Sequence, residues 1–334
     1  MDRSNTSGKL VAGSDIAKDT YDAHLLADTG EVTSGQFDNN LKGHIKYLKW
    51  AQRFSKGRPI HFCMEATGAY SDGLAIYLAE QSQLVSVVNP HRIHHWSIAN
   101  GQGNKTDKAD ARAIAHYCLQ VVPSIWRMAK PEVRDLTALV RHLDSLKQHG
   151  TQQKNRLSSP GLPAAVIKSL KKLLKQLEDE MKVIEKQIDN HIDSHPDLKR
   201  DRDLLLSIPG IGNTTAVLLL AELPDVEQFV DTKLAAKFAG LCPSQYQSGT
   251  SVHKKTQRYK RGKRRLRSAL YMPAMSAIRY NEHVKAIYLR LLEKGHKGAS
   301  ALVAAMRKLL MIAVGILKSG QPYRADYLTV KTPT

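Results

Sequence analysis

The sequence predicts an α/β domain followed by a mainly helical one, with a heptad-patterned helical segment between them. Three observations carry that expectation. Short apolar runs separated by turn residues fill residues 10–37 and then alternate with helical periodicity. From 163 to 192, apolar residues recur at spacings of three and four. Beyond residue 200, apolar helical stretches are punctuated by Pro and Gly. A chain of 334 residues has room for two domains and a linking element, and the pattern divides it at 1–135, 136–200 and 201–330.

Strands are expected at 10–16, 21–27 and 32–37, with polar or Gly-containing turns between them. A helix at 41–54 follows, with Ile45, Leu48 and Trp50 as apolar positions. PIHFCMEATG reads as a buried strand ending at Glu65, 69–81 as a helix, LVSVVNP (84–90) as a strand, and TDKADARAIAHYCLQ as a helix from about Thr106. Three antiparallel strands followed by helix–strand units make a mixed sheet covered by helices. HRIHH (91–95) reads as a polar loop, and its histidines are assigned no role.

Ile167, Leu170, Leu174, Leu177, Met181, Ile184 and Ile188 form a heptad seam, with charged residues on the other faces. Such a stripe packs inside its own domain or joins protomers, and a homo-oligomer, dimer or tetramer, is expected. LLLSIPGIGNTTAVLLLAEL (204–223) gives a helix end, a PGIG turn and a second helix opening at Asn213, the pattern of a helix-hairpin-helix. Gly210 and Gly212 would let that turn approach a phosphate, with the N–H groups of the second helix aimed at it. The alternative is a tight turn between two core helices. A final apolar helix at 299–318 is expected in the core.

The formal charge is +19, and it is unevenly spread. Residues 1–135 hold 16 Lys/Arg against 14 Asp/Glu, whereas 136–334 hold 34 against 17. Residues 232–281 contain no carboxylate, and KKTQRYKRGKRRLR (254–267) packs nine cations into fourteen positions: Lys254, Lys255, Arg258, Lys260, Arg261, Lys263, Arg264, Arg265 and Arg267. An unbroken block of like charge repels itself unless a polyanion neutralises it, so these residues are candidates for phosphate contact. Cys63, Cys118 and Cys242 lie far apart, which excludes a disulfide framework and a cysteine-rich zinc site. The N-terminus lacks the apolar core of a secretory signal, and the apolar stretches at 216–220 and 309–317 are short for a bilayer. A cytoplasmic protein with no membrane partner is expected.

Four acids stand out by position. Asp15 lies in an apolar strand and Glu65 ends another, while Asp107 and Asp110 share one helix face. Carboxylates from two strands and a helix suit Mg²⁺, which prefers oxygen ligands, and a pair of such ions can clamp a phosphodiester. Bland roles remain open: Asp107 near a helix start, Asp110 on a solvated face, Glu65 capping a turn. Asp15 is harder to explain so, because burying an unpaired carboxylate is costly. Asp19, Asp22, Asp28 and Asp72 are left structural.

GSDIAKDTYDAHLL, MEATGAY, NKTDKADARAIA, IPGIGNTTAVLLLAEL and FAGLCPSQYQSGTS with KRGKRRLRSALYMPAMSA, in that order over nearly the whole chain, resemble the DEDD transposases of bacterial insertion sequences. The resemblance implies a ribonuclease H-like (Holliday-junction-resolvase-like) domain joined through a coiled coil to a C-terminal transposase domain. It implies that Asp15, Glu65, Asp107 and Asp110 bind Mg²⁺, with Mn²⁺ as an alternative, and that Ser248 in QSG is the nucleophile. On the residues alone, Ser248 ranks no higher than Ser244 or Ser251. Donor and target DNA, and a structured non-coding guide RNA that pairs with both, are the implied partners. Lys263 departs from the family, which has Asn or Asp more often after KRG. The expected function is an RNA-guided DNA recombinase acting at the nucleoid. A metal-dependent junction endonuclease without serine chemistry, or a non-catalytic nucleic-acid-packaging protein, are the alternatives.

Overall fold

The computed structural model describes residues 10–101, 107–223, 225–248, 252–258 and 262–328, with the side chains of 69, 107–108, 244–248, 252–258 and 327–328 outside the description. The chain forms two compact units, Met1–Met128 and Ala129–Thr334.

In the first unit, strands β1 (Leu10–Ile16), β2 (Thr20–Ala27) and β3 (Val32–Asp38) form an antiparallel meander, followed by helix α1 (Leu41–Ser55). Strand β4 (Ile60–Glu65), helix α2 (Ala69–Glu80) and strand β5 (Leu84–Val88) come next, then helices α3 (Pro90–Ala99) and α4 (Asp107–Val121). The sheet order is β3-β2-β1-β4-β5, with β1, β4 and β5 parallel, so it is the mixed sheet that the sequence predicts. Central β1 is apolar on both faces because both are covered. Leu10, Ala12 and Ile16 pack with Tyr47, Leu48, Leu74 and Leu78 of α1 and α2. Val11 packs instead with Cys63, Ile93, Ile114 and Cys118, on the side of α3 and α4.

Residues 90–99 are helical rather than the loop expected around His91, His94 and His95. The Asn89 side chain accepts from the His91 N–H and Pro90 occupies the first turn. An asparagine cap followed by proline is a helix start, and it outweighs the polarity of HRIHH.

In the second unit, α5 (Pro131–Leu157) and α6 (Ala164–Asp193) form an antiparallel hairpin, shown by the ion pairs Lys147–Glu185 at 3.0 Å and Lys154–Glu178 at 3.3 Å. The heptad seam faces inward across this hairpin: Leu170, Leu174, Ile184 and Ile188 are buried, and Ile184 and Ile188 share a core with Leu136, Val140, Leu143 and Leu146 of α5. The partner of the seam is therefore a helix of the same chain. The helical linker expected over 136–200 is thus two helices, the first of which starts at Pro131.

Helices α7 (Pro196–Leu206), α8 (Asn213–Glu222) and α9 (Thr232–Phe238) follow. A two-stranded ribbon comes next, β6 (Pro243–Ser248) with β7 (Val252–Arg258), and then α10 (Arg264–Ala269), α11 (Tyr271–Tyr280), α12 (Glu282–Glu293) and α13 (Gly298–Ser319). One continuous apolar core runs from α5 to α13. At 22 residues, α13 is long and apolar enough to cross a membrane by length and composition, a span that the shorter stretch read from sequence underestimated. Its Ala305, Leu309, Leu310, Ala313 and Val314 lie in this core.

The turn between α7 and α8 separates its two glycines. Gly210 has φ +103°, and a Cβ there would fall 2.6 Å from Ala277 Cβ on α11. Gly212 precedes α8 with open space around the Cβ position. Gly210 is thus an inward packing position, and Gly212 is the one left facing open space. Gly210→Ala is expected to cost about 2 kcal/mol or more of unfolding free energy from steric overlap and positive φ, whereas Gly212→Ala should change it far less. Urea denaturation of both variants measures the contrast.

Candidate active site and basic segment

Helix α4 rests on the sheet at one glycine. A Cβ on Gly13 would lie 2.3 Å from both the Ala111 carbonyl oxygen and the Ala115 nitrogen, so the helix backbone touches β1 only because residue 13 has none. Nearer its C-terminal end, the Cys118 thiol donates to the His61 carbonyl at 3.9 Å, at the start of β4. From these two contacts α4 runs back toward Asp107 and the C-terminal ends of β1 and β4. There Ser14 pairs with Met64, and Asp15 and Glu65 each stand one residue further on.

Side chains alternate along a strand, so Asp15 and Glu65 share the face of Val11, Gly13 and Cys63, which is the face α4 covers. Both carboxylates are half-buried, as is Asp110 in the first turns of α4. Asp107 opens the helix, and its side chain lies outside the described residues. Two strand ends and one helix N-terminus thus converge on one edge of the sheet. Among the described residues, no three Asp, Glu, His or Cys side chains close around a single point.

Asp22, left structural by the sequence reading, belongs to the same face. It stands directly across the β1–β2 ladder from Asp15 and is 7% exposed, with Gln36 Nε2 donating to its Oδ2 at 3.2 Å. Like charges directly opposite each other in a ladder are destabilising. The donors on this edge are carboxylate oxygens, the ligand type that suits a hard divalent cation. Alternation along β2 was the available signal, because Asp22 falls between Tyr21 and Ala23, which face the other core. Close by, burial holds the His24 and His116 imidazoles below their ordinary values, with the Arg112 guanidinium adding to the effect.

In the second unit, Ser248 ends β6 opposite Val252, the first residue of β7, and Ser244 pairs with Gln257 farther down. Ser248 therefore occupies the turn end of the ribbon. Its side chain lies outside the described residues, as do residue Ser251 and the side chain of Ser244. Lys254, Lys255 and Arg258 are on β7 with their side chains outside the description, and Lys260 and Arg261 lie outside the described residues.

The rest of the basic run is clamped to the helical core. Gly262 crosses Gly240 so closely that a Cβ would fall 2.0 Å from its nitrogen, and the Lys263 N–H donates to the Phe238 carbonyl at 2.8 Å. Glu222, at the end of α8 and 2% exposed, gathers three cations. Lys263 Nζ lies 3.3 Å from Oε2, and Arg265 Nε and Arg141 Nε lie 3.3 and 3.4 Å from Oε1. Lys263 Nζ also donates to the Glu222 carbonyl at 3.1 Å, and Arg265 pairs with Asp144. Arg267 is buried and donates to the Ala239 carbonyl at 3.0 Å. Three of the nine cations are therefore engaged within the fold, by groups that lie outside the acid-free stretch or on the backbone. Arg264 remains exposed.

Glu222→Ala leaves Lys263, Arg265 and Arg141 without their shared carboxylate. Because those cations are part-exposed, the expected loss of unfolding free energy is about 2 kcal/mol, below that of a fully buried pair. Arg264→Ala should change stability by less than about 0.5 kcal/mol. Urea titration of the two variants checks both values.

Two family profiles match the chain. Residues 12–160 match one described as a transposase of the DEDD type, and residues 202–289 match one described as the transposase IS116/IS110/IS902 family. The pilin gene-inverting proteins of Moraxella lacunata and Moraxella bovis are each 33% identical, over 94% of this chain and 98% of their own. The transposase for insertion sequence element IS1111A of Coxiella burnetii is 24% identical over 94% of this chain and 91% of its own.

Proposed function

Because the chain belongs to the IS116/IS110/IS902 transposase family and is a DNA transposase/recombinase, we propose that it cuts and rejoins DNA through Ser248, with a divalent metal held by Asp15, Glu65, Asp107 and Asp110. A packaging role without catalysis falls away with that membership. In this reading the first unit is a ribonuclease H-like domain, and the α7–α8 turn is a helix-hairpin-helix. Residues 1–135, 136–200 and 201–330 are the catalytic, linking and transposase domains. The observation that most supports the carboxylate assignment is the convergence of the β1 and β4 ends with the start of α4 on one face.

The Ser248 hydroxyl attacks the phosphorus of a DNA phosphodiester, the P–O bond to the departing deoxyribose oxygen breaks, and a phosphoserine ester forms. The ester conserves the bond energy, so a hydroxyl of another strand can displace Ser248 and reseal the backbone without a further energy source. When bound, Mg²⁺ supplies neutralisation of the charge that grows on the phosphate oxygens. The carboxylates hold and orient, and Asp22 strengthens the negative field on the Asp15 side. Lys254, Lys255, Arg258, Lys260, Arg261 and Arg264 contact phosphates and set the position of the DNA without reading bases. Sequence choice then falls to a structured guide RNA pairing with donor and target. Cutting with conservation of the ester suits both the transposition and the gene inversion named for the relatives.

Denaturing electrophoresis of protein with labelled DNA, guide RNA and Mg²⁺ tests this reading. Wild type, Ser244→Ala and Ser251→Ala should carry a covalent protein–DNA adduct, and Ser248→Ala should lack it while binding DNA as tightly. Cleavage with no adduct in any of the proteins means that water is the nucleophile and the protein is a junction endonuclease.

Asp15→Asn keeps the shape and removes a charge. It should reduce adduct formation by at least about a hundredfold, as should EDTA, with Mg²⁺ or Mn²⁺ restoring the EDTA-treated wild type. Full activity in a folded Asp15→Asn protein would remove the carboxylate assignment.

A further inference from the structure

The α5–α6 hairpin carries a second cationic surface, separate from the run at 254–267. Residues 145–177, which span the end of α5, the connection and the first half of α6, contain seven Lys/Arg and no carboxylate. Two of the seven are matched by acids further along α6: Lys147 by Glu185 and Lys154 by Glu178. Beyond this stretch α6 mixes its signs, as in the Lys182–Asp179 pair at 3.6 Å. Lys168, Lys171, Lys172 and Lys175 are different. All four are exposed, and among the described residues none stands in an ion pair.

Their spacing makes the concentration costly. Four like-charge pairs at three or four residues (168/171, 168/172, 171/175 and 172/175) meet on one helix surface, each unfavourable to the helix. No acid occupies the first turn of α6 to offset them. By helical period, Lys168, Lys172 and Lys175 stand opposite the buried Leu170 and Leu174, so the seam holds this face outward. A solvated helix face ordinarily alternates its charges, as the second half of α6 does. The seven-residue step from Lys168 to Lys175 covers about 10 Å of helix axis, roughly three phosphates of one strand at 3.4 Å each.

From this pattern we infer that the outer face of the first half of α6 binds the phosphodiester backbone of a nucleic acid. Four lysines release counterions on docking and set no base preference. Being compact and strongly hydrated, they give point contacts that follow a backbone rather than a fixed bidentate fork. This surface goes beyond the serine and carboxylate reading and can fail without it, because no residue of that chemistry lies on α6.

The test uses the full chain with all four lysines changed to Gln (Lys168→Gln, Lys171→Gln, Lys172→Gln, Lys175→Gln). It is compared with the same four changed to Arg and with a charge-matched control, Lys182→Gln, Lys285→Gln, Lys294→Gln, Lys297→Gln. Binding of a labelled 30-bp duplex and of a labelled RNA hairpin is followed by anisotropy across a salt series. The Gln variant should lose at least about tenfold in affinity, and its salt slope on duplex should flatten by about 0.9 for each lysine engaged. The Arg variant should keep the wild-type slope. Flattening with one polymer alone identifies DNA or RNA as the occupant. The inference is overturned if the Gln slope equals wild type on both polymers or if the control flattens equally. It is also overturned if light scattering shows lost self-association with binding intact. A Gln variant with an altered slope and a normal Ser248 adduct separates this surface from the catalytic reading.

Discussion

Helix α4 can lie against β1 only because residue 13 carries no side chain, and the geometry of the first unit follows from that contact. With the Gly13 Cα against the Ala111 and Ala115 backbone, even a methyl group at residue 13 would overlap the helix where it lies. The Cys118 thiol on the His61 carbonyl fixes the other end of the same helix against β4. Two contacts on one helix set where its first turn falls, and that place is the edge on which Asp15 lies near the end of β1 and Glu65 ends β4. The parallel β1–β4 pairing makes the edge coherent, since Ser14 pairs with Met64 and so Asp15 and Glu65 stand at the same level and on the same face. Asp22 stands across the ladder from Asp15, so the same edge gathers carboxylates from β1, β2, β4 and α4.

The second unit handles the opposite sign of charge. Its basic run emerges from the β6–β7 ribbon and is fastened at once by the Gly262–Gly240 crossing, then by Glu222. A nearly fully buried carboxylate is stable only when partnered, and Lys263, Arg265 and Arg141 supply the partners from two separate segments. Glu222 closes α8, where the helix dipole also favours cations, so the same three side chains serve the carboxylate and the helix end. The result is a division of labour inside one stretch of sequence. Lys263, Arg265 and Arg267 build the platform, and exposed Arg264 stands on it.

Much of the first unit was legible because strand alternation and helical spacing are local properties. The strands at 10–16 and 60–65 and the helix at 41–55 follow directly from where apolar residues fall. The acid at position 15 stood out for the same reason, as a charge in an otherwise apolar strand. The helix at 90–99 was missed because three histidines suggest a loop, although Asn89 and Pro90 together spell a helix start. Asp22 was passed over because its importance depends on the strand beside it, and the β1–β2 register is not a local quantity. The segment 136–200 reads as helical, but the bounds of α5 do not show in the sequence, since its sparse apolar positions matter only when α6 is laid along them.

The sequence by itself determined the kinds of chemistry available: carboxylates in apolar strands, an acid-free basic stretch at 232–281, a serine beside a glycine, and the ordered motifs that mark the family. These depend on residue type and spacing, which folding does not alter. Tertiary structure alone decided the partners. Periodicity shows that α6 has an apolar face, but only packing shows that α5 of the same chain covers it. Composition counts nine cations between 254 and 267, but only the fold turns Arg267 to a backbone carbonyl and Lys263 and Arg265 to Glu222. The physical reason is common to both cases. A side chain's electrostatic and apolar environment is set by groups brought close in space, and most of those groups lie far away along the chain.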